Sequence, residues 1–154
     1  MTRVDFYFNV IDKPKKIIEL TQLAVNKQRR VMVYAVDETQ AKDLSDKLWS
    51  DVPTSFIPHI MVGTHKAETA LINFAPILIL TAFGNGQALH LHEDDVLINL
   101  QAQHPNFFSR FRLLIELVGS DEVDKVAARN RYKFYRDRGY AIKSIDTGVR
   151  ESSN

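Results

Sequence analysis

"RVMVYAV", residues 30 to 36, decides the architecture. The run is almost continuously apolar and rich in β-branched residues, the pattern of a strand buried on both faces in a parallel sheet. It leads straight into "DETQAKDLSDKLW" (37–49), where Asp37 or Thr39 can cap an amphipathic helix that reaches Trp49. Upstream, "VDFYFNV" (Val4 to Val10) reads as a first strand closed by a turn at Asp12 to Pro14. Lys13 to Gln28 then carries Ile17, Leu20, Leu23 and Ala24 at helical spacing. Strand, helix, strand, helix in this order predicts an α/β fold with right-handed crossovers.

Farther along, "SFIPHIMVG" holds Pro58, which restricts it to an edge strand or a loop. "PILILTA" (Pro76 to Ala82) and "DVLINLQ" (Asp95 to Gln101) read as buried strands separated by the turn-rich "FGNGQALHLHED". "RLLIELV" (Arg112 to Val118) is a further strand, stopped by Gly119 and Ser120. "SDEVDKVAARNRYKFYRDRG" is the strongest helix, with Ser120 as N-cap, acids at its positive end, bases toward its negative end and Gly139 as the stop. "YAIKSI" supplies a last strand, and the residues after it read as a frayed polar tail. The expected organisation is one α/β domain over residues 1–146 and a polar tail over 147–154.

The 154 residues suit a single core, and 45% hydrophobic with 25% charged residues is ordinary globular composition. No apolar run approaches the roughly 18 residues of a membrane helix, so no membrane partner is expected. The first ten residues lack the features of a signal peptide. There are no cysteines, which excludes disulfides and thiolate metal sites; with no export signal, a cytoplasmic location is expected. Net charge is only +1, below the basic excess of a dedicated DNA-binding domain.

A search for catalytic chemistry yields little. After the first strand comes "NVIDKPKK", without the glycines that let backbone approach a pyrophosphate. "VGTHKAET" lacks P-loop spacing, and "GNGQ" is two glycines of a turn. His90 and His92 would share one face of a strand with carboxylates following, which is chemically compatible with a divalent metal, yet no third ligand stands at a convincing spacing. His59 has no obvious Ser or Asp partner. No catalytic site, cofactor or metal is expected.

The basic helix is the informative feature. "KVAARNRYKFYRDRGY" (125–140) holds six Lys or Arg residues and one acid. On a wheel with Lys125 at zero, Arg136, Arg129 and Lys133 fall at about 20°, 40° and 80°. Val123, Val126, Ala127 and Phe134 fall between roughly 100° and 200° as the expected buried side, and Tyr132 flanks the cations near about 340°. Four like charges in one stripe repel each other, so the ridge is better explained by an anionic ligand. DNA phosphate is one candidate, with bases stacked on Tyr132 or Tyr135. An acidic peptide or terminal carboxylate is the other. Separately, Trp49 and Phe56 in "LWSDVPTSFIPH" are either core residues or an apolar anchor for another protein.

In combination, "DFYF", "LWSDVPTSFIPH", "DVLINL" and "RYKFYRDRGY" resemble, in order along Val4 to Ile145, the chi subunit family of bacterial DNA polymerase III, part of the clamp-loader assembly. The resemblance implies a Rossmann-like three-layer α/β fold with a mostly parallel sheet, lacking a nucleotide-binding glycine loop. It implies a non-catalytic replisome adaptor that binds the acidic, Pro-Phe-ending C-terminal tail of single-stranded DNA-binding protein, with DNA contact mainly indirect. That tail site maps onto Val118, Lys125, Arg129, Tyr132 and Lys133. A second surface, for the psi subunit or a helicase-like protein, maps onto Trp49 and Phe56. Direct single-stranded nucleic-acid binding by the same helix is the competing reading.

Overall fold

In the computed structural model the described residues are 2–50, 59–62, 77–80 and 96–147. They form strands β1 (Arg3–Phe8), β2 (Val31–Tyr34), β3 (His59–Val62), β4 (Ile77–Leu80), β5 (Val96–Asn99), β6 (Leu113–Leu117) and β7 (Ala141–Asp146). The helices are α1 (Lys13–Asn26), α2 (Glu38–Ser50) and α3 (Glu122–Asp137), with a short 3-10 turn at Phe108–Arg110. The sheet order is β3-β4-β2-β5-β6-β1-β7, and every pairing is parallel. The apolar run at 31–34 is therefore a central strand, and β3, which follows Pro58 in the sequence, stands at one edge of the sheet. "GNGQ", His90, His92 and Phe56 lie outside the described residues.

Alternation along the strands sends one set of side chains to each face. Val31, Val33, Ile77, Ile79, Val96, Ile98, Ile115 and Leu117 pack with Ile17, Leu20, Ala41 and Leu44 of α1 and α2. Val4, Phe6, Met32, Leu97 and Leu114 pack on the opposite face with Phe108, Phe111, Ala128 and Tyr135. Three layers result, as a parallel sheet requires when both its faces are apolar.

Local chemistry sets the helix ends. The Asp12 carboxylate accepts from Lys15 N–H at 3.1 Å, and Asp37 rather than Thr39 caps α2, accepting from Gln40 N–H at 2.8 Å. At α3 the cap is Asp121, one residue beyond the expected Ser120, and it makes no side-chain bond. Asp124 in the first turn accepts instead from Gly119 N–H, ahead of the cap, at 2.7 Å. Its carboxylate also meets Lys13 Nζ at 2.7 Å, tying the start of α3 to the start of α1. Burial alone would raise the Asp124 carboxyl, but the Lys13 ammonium and Gly119 N–H hold it below its ordinary value. Gly139, at φ +81, takes the left-handed conformation that ends α3 as expected.

Two expected apolar stripes are displaced. In α1, Ile17 and Leu20 are buried with Ile18 and Thr21, whereas Leu23 is largely exposed. In α3 the correction is larger: Val123 and Val126 are 77% and 51% exposed, and the buried residues are Ala128, Arg131 and Tyr135. Phe134 is only half-buried, stacked on His104 at 3.5 Å with the Arg138 guanidinium 4.3 Å from its ring centroid. Thr147, at the head of the expected tail, is buried and donates to the Phe8 carbonyl at 3.0 Å. Residues 148–154 lie outside the described residues.

Candidate functional site

Glu116 is the polar centre of the face that α3 buries. It sits between Leu114 and Val118 on the sheet face that α3 covers, and its side chain is fully buried. An ionised carboxylate there is costly unless several donors converge on it. Arg131 Nε donates at 3.0 Å, Tyr135 Oη at 2.6 Å, and Asn99 Nδ2 lies 3.2 and 3.1 Å from the two oxygens. Arg131 also donates to the Ala102 carbonyl at 2.8 Å, so its guanidinium is held at two points. Arg131 and Tyr135 are i and i+4 on α3, hence on one face.

Exposing the two valines forfeits roughly 1.5–3 kcal/mol each at most. Orphaning a buried charge costs about 3–5 kcal/mol, and the Tyr135 ring adds a large buried area of its own. The polar network and the ring together outweigh the stripe.

Burial pushes the Glu116 carboxyl up, to about 7, against the pull of Arg131, Tyr135 and Asn99. Burial and the Glu116 charge push the Tyr135 phenol up as well. Because the folded value for Glu116 exceeds its ordinary 4.5, folding takes up a proton between those two pH values. The stability this group contributes is thus complete below about 4.5 and lost as pH rises through about 7. Accordingly, wild-type Tm should fall relative to a Glu116→Gln variant between about pH 5 and 8. Parallel Tm profiles in calorimetry would show that Glu116 does not titrate in that window.

A cleft lies at the carboxyl ends of β1 and β6, beside α3. Its volume is about 330 Å³, and Phe6, Phe8, Val118, Ala128 and Tyr132 form its apolar wall. Lys125 and Arg129 stand on its α3 side, with Asn9, Gly119 and Ser144 completing the lining. Tyr132 meets Phe6 edge-on at 5.4 Å between ring centroids. Asn9 adopts a left-handed backbone (φ 59) and its amide donates to Asp146 at 3.0 Å, which fixes the turn leaving β1.

Four of the five residues mapped to the tail site, Val118, Lys125, Arg129 and Tyr132, therefore share one cleft. Lys133 is exposed one turn beyond Arg129 and does not line it. Lys125 lies 3.8 Å from Glu122 and Arg136 3.5 Å from Asp137, while Arg129 and Lys133 have no carboxylate partner among the described residues. Phe6, Phe8, Ala128, Asn9 and Ser144 were not singled out in the sequence. Phe6 and Phe8 sit in the quoted "DFYF", but nothing local tells which strand residues will face a helix 120 residues away.

Trp49 belongs to the last turn of α2 by its backbone. Among the described residues no group of three His, Asp or Glu side chains is placed to hold a metal. Among them, too, no helix is long and apolar enough to cross a membrane.

Fold and cleft together define a three-layer, Rossmann-like α/β protein. Similar architecture occurs in the C-terminal domain of the DEAD-box protein Dbp5, at TM-score 0.64 and 15% identity over 96% of this chain and 92% of that one. The S. cerevisiae Dbp5 C-terminal domain bound to Gle1 and IP6 is comparable, at TM-score 0.63 and 14% identity over 95% and 91% of the two chains. At such identities the likeness concerns the fold alone.

Sequence similarity is more specific. The chain belongs to the family "DNA polymerase III chi subunit, HolC", which it matches over residues 1–143, and so has a role in DNA replication. It is 33% identical to the Pseudomonas aeruginosa DNA polymerase III subunit chi, covering 93% of this chain and 95% of that one. The Haemophilus influenzae and Escherichia coli chi subunits are each 29% identical, the first over 78% of this chain and 77% of its own, the second over 75% and 73%.

Proposed function

We propose that this chain is a replisome adaptor, without catalysis of its own, that captures the acidic C-terminal tail of single-stranded DNA-binding protein in the α3 cleft. The observation that carries the reading is the meeting, along one flank of α3, of an aromatic-lined pocket with Arg129, which has no carboxylate partner among the described residues. A volume of about 330 Å³ is at the lower end of small-ligand pockets, which suits one aromatic side chain better than a nucleotide. In this reading Phe6, Val118, Ala128 and Tyr132 receive the terminal phenylalanine. Arg129 pairs with its carboxylate, and Lys125 and Lys133 attract the acids that precede it. The second arm, docking to the clamp loader through psi or to a helicase-like protein at Trp49 and Phe56, rests on family membership.

Titration calorimetry with an acidic Pro-Phe-ending peptide tests the first arm. The expected result is one site per chain, lost when the peptide's terminal carboxylate is amidated. Tight binding of a bare single-stranded oligonucleotide with no peptide binding would replace the reading with direct nucleic-acid binding. Affinity should fall steadily with added salt, because the cations are exposed and the screening length shrinks from about 10 Å at 0.1 M to about 3 Å at 1 M. A salt-independent affinity would argue against a charge-led site.

A further inference from the structure

We propose that Glu116 is a positioning residue for the cleft: by holding Arg131 and Tyr135 it fixes the roll of α3 that brings Lys125, Arg129 and Tyr132 to the pocket. The inference rests on the tail-capture reading and adds how that site is assembled. Strand register supplies the first link. Asn99 pairs with Glu116, Glu116 with Phe6, and Phe6 with Ser144, so one row across the sheet runs from the buried network into the cleft wall. Ring contacts supply the second. Phe6 lies 6.0 Å from Tyr135, which bonds Glu116, and 5.4 Å from Tyr132, which lines the cleft.

The third link is angular. The residues of α3 that are buried centre roughly 110° around the helix from the stripe that hydrophobicity alone would bury. Rolled to bury that stripe, Tyr132 would point almost directly away from the sheet, and Arg129 would lie on the opposite flank from the pocket. Val118 and Phe6 would remain in place, but facing no cation. The residues that recognise the ligand therefore do not orient themselves; an acid that never touches it does so.

The test replaces the network by apolar side chains, so that positioning is lost without orphaning a charge. Glu116→Leu/Arg131→Ala/Tyr135→Ala leaves the sheet-facing side of α3 with alanines alone, so the Val123 and Val126 side becomes the more apolar one, while Asn99 Nδ2 keeps the Gln103 carbonyl at 3.2 Å as an acceptor. The expected result is a folded chain whose affinity for the acidic tail peptide falls about tenfold or more, while the Val123 and Val126 methyls become protected from solvent in NMR. A folded triple variant that binds as wild type does would overturn the inference.

Should the triple variant not fold, Tyr135→Phe is compared with Ile79→Val, which thins the opposite layer, at temperatures chosen for equal folded fraction. Only Tyr135→Phe should lose affinity, and equal affinities overturn the positioning role. Wild-type protein that binds no tail peptide would instead refute tail capture. The roll would then be judged by the valine methyls alone, and unchanged exposure in the variants would overturn it.

Discussion

Arg129→Glu is expected to weaken binding of the acidic tail peptide by about 100-fold, near 3 kcal/mol, with the fold intact. Arg129 stands at the cleft, has no carboxylate partner among the described residues, and is exposed, so reversing its charge disturbs no internal bond. The substitution removes a charge-assisted bond and places a carboxylate where the ligand's own must sit. Lys133→Glu should cost less, within about tenfold, because Lys133 lies outside the lining and acts through a screened, longer-range attraction. Calorimetry at low salt measures both. Wild-type affinity in Arg129→Glu would end the tail-capture proposal, and a larger loss for Lys133→Glu would move the anionic end of the ligand one helical turn along α3.

Arg131→Met should be the most destabilising single substitution on α3. It leaves the fully buried Glu116 without its cation, a loss of about 3–5 kcal/mol. For a domain of this size that is a Tm fall of about 6–20 °C. The loss should be greatest near pH 8, where the carboxylate is ionised, and smaller near pH 5, where a protonated Glu116 needs no cation. Calorimetry at the two pH values decides the matter. A small, pH-independent change would mean that Arg131 contributes packing and little charge pairing.

Much of the fold was legible because its signals are local. Continuous apolar runs at 31–34, 77–80 and 96–98 mark strands of the parallel sheet, and the acid-to-base gradient of α3 marks its direction. Pro58 marked the edge position of the strand that begins at His59. The two cations of the cleft, Lys125 and Arg129, were legible for the same reason, since helical spacing alone places them on one stripe, together with Lys133, which does not line it. Glu116 left a signal that could have been used: a lone acid inside "RLLIELV" implies buried partners, and Arg131 with Tyr135 at i, i+4 could have supplied them.

The sequence by itself therefore determined the element order, the parallel architecture and the presence of a cationic ridge beside a tyrosine. It could not determine which side of that helix faces the sheet. Hydrophobicity counted per residue favours Val123 and Val126, whereas the outcome depends on a carboxylate from another element, 15 residues from Arg131 along the chain. Likewise Phe6 and Ser144 join the cleft only because β1 lies between β6 and β7. Contacts between segments far apart in the chain set both the roll and the pocket, and such contacts exist only once the sheet has formed.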